Sequence, residues 1–100
     1  MDLKIAQDCK YKGHDQWEWW VWVEGSDKDL DRIDYVTYIL HHTFPNPVRK
    51  VKTRADKFLL KTAGWGIFTI HAKVKLSDGE EQHLTHDLEL EYPDGTKTTA

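Results

Sequence analysis

The chain has 100 residues, of which 39% are hydrophobic and 12% aromatic, and its formal net charge is −3 at pH 7. This length suits one domain with a single core, and the acidic balance argues against nucleic acid as a partner. The single cysteine excludes an internal disulfide, and no apolar run approaches the roughly 18 residues that cross a membrane. We therefore expect a cytoplasmic domain over residues 1–95, followed by a polar tail over 96–100.

The first third of the chain carries strand patterns. Short strands are predicted near residues 3–5 and 9–11, and the strongest β signal runs from Trp17 to Val23. Every second residue from Trp17 falls on one face, which is predicted to be the core face. Trp20 and Trp22 share the other face with glutamates, so we expect them to be partly exposed or covered by the N-terminal segment.

An acidic connection and a second apolar strand follow. The connection, residues 25–32, has aspartates at alternate positions but lacks the glycine and closing glutamate of a calcium loop, so no metal site is predicted. Residues 33–40 have apolar side chains at both odd and even positions. This pattern predicts a strand that is covered on both faces or that crosses the centre of the sandwich.

Two segments stand apart from the strands, and both carry an aromatic residue. Pro45 and Pro47 restrict their own φ angles and disfavour the α region for the preceding Phe44 and Asn46, which predicts a rigid, extended loop over residues 41–47. The other segment is Gly64-Trp65-Gly66, where glycines permit unusual backbone conformations and close approach. We expect the two rings to form the walls of a slot.

The remaining segments complete an all-β pattern. A basic strand is predicted at 48–53, a short strand at 58–62, and a hairpin of strands 68–76 and 84–92 around an Asp-Gly turn. With no helical periodicity, these segments predict an antiparallel β-sandwich of about 7–8 strands. Lysine and arginine concentrate between residues 49 and 61, a patch that suits an acidic partner better than nucleic acid.

The two aromatic segments also resemble a known family. His41-x-Thr43-Phe44-Pro45-x-Pro47-x-Arg49, followed by Gly64-Trp65-Gly66-x-Phe68, is similar to the signature of the YEATS domain family and especially to its prokaryotic branch. The flanking segments 19–25, 33–40 and 87–88 extend the likeness. The resemblance implies an immunoglobulin-like sandwich and a non-catalytic reader of acylated lysine, without a cofactor or metal.

The resemblance also implies a set of ligand-binding residues. Asp87 matches a position that contacts the peptide beside the modified lysine, and the other matches come from the two aromatic segments. An aromatic wall expected near Asp15 is missing, and Trp17 could replace it only in a shifted register. A bacterial setting would remove histone tails as the obvious ligand. The implied site residues are His41, Thr43, Phe44, Gly64, Trp65, Gly66, Phe68 and Asp87.

Other interpretations remain open at this point. Phe44 could simply close one end of the sandwich by packing on Trp65. Trp20 and Trp22 could instead bind a partner protein, as in a bacterial interaction or signalling-associated domain with a vestigial pocket. Catalysis is not expected, because the only serines lie in turns and Cys9 has no histidine nearby in the sequence.

Overall fold

The computed structural model of the chain describes residues 2–98, which form two antiparallel sheets. One sheet has the order β1-β2-β5 and the other the order β4-β3-β6-β7. This arrangement confirms the predicted all-β, immunoglobulin-like sandwich of about 7–8 strands. Within residues 2–98 the strands are β1 (Lys4–Gly13), β2 (Gln16–Glu24), β3 (Ile33–Ile39), β4 (Val48–Val51), β5 (Leu60–Gly64), β6 (Thr69–Leu76) and β7 (Glu81–Asp87).

The core lies between the two sheets and follows the predicted alternation. The face of β2 that begins at Trp17 is buried, and so is the face of β6 that begins at Ile70. Burial of these apolar and aromatic side chains is the main stabilising contribution to the fold. The side chains that are at most 1% exposed include Trp17, Trp19, Val21, Val23, Val36, Tyr38, Phe58, Ile70, Ala72 and Val74.

The N-terminal strand differs from its prediction. Residues 4–13 form one continuous strand, β1, instead of two short ones, and they pair with β2 from Lys4↔Glu24 to Gly13↔Gln16. The long neighbour β2 provides backbone partners along the whole segment, so the weak local pattern does not interrupt the strand. Trp20 and Trp22, on the outer face of β2, are half-buried.

The prediction that β3 is covered on both faces is wrong. The register with β6 shifts between Ile33 and Tyr35, as a β-bulge does. The extra residue places Ile33 on the same buried face as Val36 and Tyr38, whereas Tyr35 and Ile39 are only partly buried on the outer face. The strand therefore has one core face.

Short helical turns occupy two connections. The acidic connection contains a one-turn helix, α1 (Asp27–Leu30). The alternating aspartates gave no helical pattern, so this helix was not predicted. Ser26 caps it by accepting a hydrogen bond from the Asp29 N–H at 3.1 Å. A 3₁₀ turn covers Arg54–Asp56. No helix among the described residues is long and apolar enough to cross a membrane.

The C-terminal segment packs against the first hairpin. The Trp17 indole N–H donates to the Glu91 carbonyl at 2.9 Å, and its ring contacts those of Tyr11 and Tyr92. The Thr98 N–H donates to the carbonyl of Leu90 at 2.9 Å. Of the segment predicted to be a polar tail, residues 99 and 100 lie outside the described residues.

Candidate functional site

An open cleft lies where the loop 41–47 meets the segment that follows β5. Its volume is about 500 Å³. None of its lining residues carries a formal charge, so the cleft suits a neutral ligand. The lining consists of Gln16, His41, Thr43, Phe44, Pro45, Ala63, Gly64, Trp65, Gly66, Ile67 and Phe68.

The loop 41–47 is held by hydrogen bonds at both ends. The Leu40 N–H donates to the Pro47 carbonyl at 2.7 Å, and the Arg49 guanidinium donates to the Asn46 and Pro45 carbonyls at 2.5 and 2.8 Å. Asn46 has a φ of 51°, so the prediction that it is extended is wrong. The residue before a proline avoids the right-handed α region, and asparagine tolerates the left-handed one.

His41 and Thr43 form a hydrogen-bonded pair on this loop. The His41 Nδ1 lies 2.8 Å from the Thr43 Oγ1 and 3.3 Å from the Thr43 backbone nitrogen. Because the backbone N–H can only donate, Nδ1 is the acceptor, and the Thr43 hydroxyl then also donates to it. This leaves the lone pairs of Oγ1 free to accept a hydrogen bond from a ligand.

Aromatic rings form the floor of the cleft. The centroid of the Phe44 ring lies 5.3 Å from that of the Phe68 ring and 6.1 Å from that of the Trp19 ring. Trp19 itself is completely buried, and its indole nitrogen has no hydrogen-bond partner among residues 2–98. The Trp19 and Phe44 rings meet edge to face, with an interplanar angle of 76°.

Gly64 has no side chain, and this leaves space at the floor of the cleft. It is the last residue of β5 and pairs with Trp17, so it does not belong to a loop as predicted. A Cβ at this position would lie 3.4 Å from the Phe44 Cζ, an ordinary contact distance, so its absence leaves open space beside the ring. The described glycines with positive φ are Gly13, Gly79 and Gly95, so neither Gly64 nor Gly66 uses that freedom.

Trp65 stands at the rim and is 63% exposed. The ring contacts of Phe44 are with Trp19 and Phe68, and Trp65 has no ring contact within residues 2–98. Phe44 packs against the end of the core, as the packing alternative expects, but Trp65 does not pack on its ring. The two predicted walls leave a gap between them, with Ile67, also partly exposed, beside Trp65.

The structure brings together seven of the eight predicted site residues, all except Asp87. Asp87 ends β7 outside the lining, where its carboxylate accepts a hydrogen bond from the Thr69 hydroxyl at 2.7 Å. It still lies close to the cleft, because the next residue, Leu88, donates its N–H to the Phe68 carbonyl at 3.0 Å.

Sequence reasoning did not select some residues of the cleft. Gln16, Pro45, Ala63 and Ile67 also line it, and Trp19 supports its floor. The alternation that put Trp19 in the core gave no sign that the core reaches the cleft at that point.

Neither Asp15, where the aromatic wall is missing, nor Trp17 lines the cleft. Trp17 is buried against Tyr11 and Tyr92. Asp15 is turned toward the same cluster and accepts a hydrogen bond from the Tyr92 hydroxyl at 2.8 Å. That bond raises the pKa of Tyr92. The proposed replacement of the missing wall by Trp17 is therefore wrong, and Gln16 lines that side of the cleft.

Comparisons with known proteins point to one family. The family model of the prokaryotic YEATS domain matches residues 17–89. The chain is 42% identical over 77 residues to the Protein AF-9 homolog of Eremothecium gossypii, which covers 72% of this chain and 36% of that protein. It is 36% identical over 69 residues to the transcription initiation factor TFIID subunit 14 of Schizosaccharomyces pombe, which covers 68% of this chain and 28% of that protein. The chain thus spans about a third or less of these relatives.

Solved structures share the fold. The Yaf9 YEATS domain bound to H3K27ac matches 97% of this chain and 79% of its own, with a TM-score of 0.73 and 24% identity. The Yaf9 YEATS domain recognising an H3K122suc peptide matches 96% and 72%, with a TM-score of 0.66 and 26% identity. The family match spans well over half of the sequence and includes both cleft-forming segments, so this chain belongs to the prokaryotic YEATS domain family.

Proposed function

We propose that this domain is a non-catalytic recognition module that binds an acylated lysine, or a similar planar amide, in the cleft between residues 41–47 and 64–68. The observation that carries the proposal is the open, uncharged cleft with Phe44 on its floor and Trp65 standing free at its rim. The Yaf9 structures with H3K27ac and H3K122suc peptides support the same class of ligand.

The cleft offers the contacts that an acyl-amide needs. A neutral, flat amide stacks on aromatic faces without the desolvation cost of a charge. The Thr43 Oγ1 is placed to accept from the amide N–H, since its own proton is directed to His41. The backbone leaves the β2–β5 ladder after Gly64, so the N–H groups of Trp65 and Gly66 have no ladder partner, and in our proposal they donate to the acyl carbonyl.

The same residues argue against catalysis. The cleft lining has no carboxylate, cysteine or serine. The Thr43 hydroxyl does contact an imidazole, but no carboxylate orients the His41 ring within residues 2–98. Hydroxyl nucleophiles are usually activated by a base that a third group holds in place. We therefore assign the pair a role in holding and contacting the ligand.

Titration of isotope-labelled protein with acetyl-lysine and crotonyl-lysine peptides tests this proposal. We expect saturable shifts of the backbone amide signals of Thr43, Trp65 and Gly66. Trp65→Ala should abolish binding and leave the melting temperature nearly unchanged, because the side chain is mostly exposed. Amide signals that stay unmoved at millimolar peptide would contradict the proposal.

Trp20→Ala is the matched control. Like Trp65, Trp20 lies near β5, the strand that leads into the cleft. Trp20, however, is on the outer face of its sheet, with the Lys61 ammonium 5.4 Å from its ring centroid. Peptide binding should be unchanged in this variant. If Trp20→Ala weakened association with a partner protein and Trp65→Ala did not, the alternative of an interaction module with a vestigial cleft would replace our proposal.

A further inference from the structure

A second surface, on the opposite side of the sheet β4-β3-β6-β7 from the core, has no part in the cleft. We call the outward side chains of β4, β3 and β6 the basic face. Their outward positions include three lysines and one carboxylate, that of Asp34 at the bulge near the start of β3. The basic face consists of Val48, Lys50, Asp34, Tyr35, Thr37, Ile39, Thr69, His71, Lys73 and Lys75.

The strand register aligns two lysines and a histidine across the sheet. Lys50 lies opposite Thr37, Thr37 lies opposite Lys73, and Lys73 lies opposite His83 of β7. Strands in a sheet are about 4.8 Å apart, so this row extends over roughly 14 Å. His71 joins the row diagonally, with its Nδ1 3.2 Å from the His83 Nε2.

Five of the eleven lysines and arginines outside the basic face form ion pairs within residues 2–98. Elsewhere, Arg54 pairs with Asp27 and Asp31, and both Lys12 and Lys61 pair with Glu18. On the basic face, by contrast, no ion pair forms within residues 2–98.

The two outer lysines have only weak or neutral partners. Lys50 lies over the Tyr35 ring with its Nζ 4.0 Å from the centroid, and the Lys75 Nζ donates to the Gly79 carbonyl at 2.9 Å. Lys73, opposite Thr37, has no partner among the described residues. An intramolecular carboxylate therefore does not neutralise this charge.

Apolar groups interrupt the positive charge. Val48 is 59% exposed, and Ile39 opposite it is half-buried. Carboxylates of the same sheet stand on the far edge strand, where Glu81 faces Lys75 and Asp87 faces Thr69. The face thus combines lysines that form no ion pair with one exposed and one half-buried aliphatic side chain, and its negative groups lie at the bulge of β3 and along the β7 border.

We propose that the basic face docks an acidic polypeptide segment that carries scattered aliphatic side chains. The carboxylates of such a segment complement the row from Lys50 to His83, and its aliphatic groups cover Val48 and Ile39. A nucleic acid would not use the aliphatic groups, the face presents no arginine, and the chain as a whole carries a charge of −3. This surface is separate from the cleft, so each can be tested without the other.

A synthetic peptide in which pairs of glutamates alternate with single leucines is the probe, and the same peptide with glutamines in place of the glutamates is its control. In a heteronuclear titration, the acidic peptide should shift the backbone amides of Thr37, His71 and Lys73. The glutamine peptide should not. Lys50→Glu combined with Lys73→Glu should weaken binding roughly tenfold or more, because two attractive contacts become repulsive.

Lys4→Glu combined with Lys28→Glu is the matched control, because it makes the same change in net charge at exposed lysines outside the basic face. Binding should stay within about twofold of the wild type. If the charge-reversed variant lost its fold, as judged by circular dichroism, Lys50→Gln with Lys73→Gln would take its place, with a smaller but measurable loss.

Several results would overturn the proposal. These are the absence of saturable shifts at millimolar acidic peptide, an equal loss in the control variant, and shifts confined to the cleft. Duplex DNA that shifted the same amides when the acidic peptide did not would assign the face to nucleic acid. Sedimentation showing a dimer that Lys73→Glu dissociates would assign it to a second copy of the chain.

Discussion

At the scale of single residues, Gly64 decides how much room the cleft has. A methyl group at this position would lie 3.4 Å from the Phe44 Cζ and 3.8 Å from the Trp19 indole nitrogen. These are ordinary contact distances, so the fold can accept the group. The space that a ligand would use beside Phe44 would nevertheless shrink.

Gly64→Ala should therefore separate binding from stability. We expect the free energy of unfolding to change by less than about 1 kcal/mol, with a gain possible because alanine restricts the unfolded chain. The affinity for an acyl-lysine peptide should fall severalfold. Urea denaturation measures the stability, and peptide titration measures the affinity. Gly79→Ala, in a distant turn, is the control. Its φ of 92° disfavours alanine, so this variant should lose stability and keep the wild-type affinity. An unchanged affinity in Gly64→Ala would show that the ligand does not approach this floor.

At the scale of elements, the loop 41–47 depends on one side chain from the strand that follows it. Arg49 in β4 donates to two loop carbonyls, those of Pro45 and Asn46. The prolines restrict individual φ angles, but this guanidinium ties the loop to the sheet. The position of Phe44 and Thr43 in the cleft therefore depends on a residue that does not line it.

Arg49→Ala should loosen the loop and lower ligand affinity. The loss is expected to be about three- to tenfold, since ordering the loop would then oppose binding. Global stability should change by about 1 kcal/mol or less, because the guanidinium is not buried. Amide exchange at Phe44 and Asn46 should accelerate. Arg32→Ala, which removes a surface pair with Asp78 at 3.5 Å, should leave exchange and affinity as they are.

The elements also show what local pattern can and cannot predict. Strict alternation identified the core faces of β2 and β6. When one face of a strand is buried, a two-residue period of apolar residues determines which face that is. The bulge after Ile33 could not be predicted, since a bulge breaks that period and depends on pairing with β6. The same limit applies to the cleft. Its wall residues stood out through proline and glycine, whereas Trp19 looked like any core residue.

At the scale of the whole molecule, His86 connects the two sheets. Its Nε2 lies 2.7 Å from the Gln7 Oε1 of β1, which can only accept, so Nε2 carries the proton. The Gln7 side-chain amide also makes two hydrogen bonds with the backbone of Glu89. Its Nε2 donates to the Glu89 carbonyl, and its Oε1 accepts from the Glu89 N–H. Burial lowers the pKa of His86 below its ordinary value of 6.5, and nearby Asp87 and Glu89 oppose this only in part.

This shift makes a pH-dependent contribution to stability. The unfolded chain binds a proton at His86 more readily than the folded protein, so the free energy of unfolding rises with pH in this window. The contribution is complete above pH 6.5 and is lost as the pH falls below it toward the lowered pKa. Urea denaturation between pH 5 and 7.5 should show a flatter profile for His86→Gln than for the wild type. The exposed His42→Gln should retain the wild-type slope, and a wild-type slope in His86→Gln would contradict the assignment.

The exposure of Trp65 has an optical consequence. Trp17 and Trp19 are almost entirely buried, and Trp20 and Trp22 are half-buried, so Trp65 is the indole most open to a quencher such as acrylamide. Protection from quenching, together with a blue shift of the emission, would report occupancy of the cleft in the unlabelled wild-type protein. A compound library could be screened in this way without knowledge of the natural ligand.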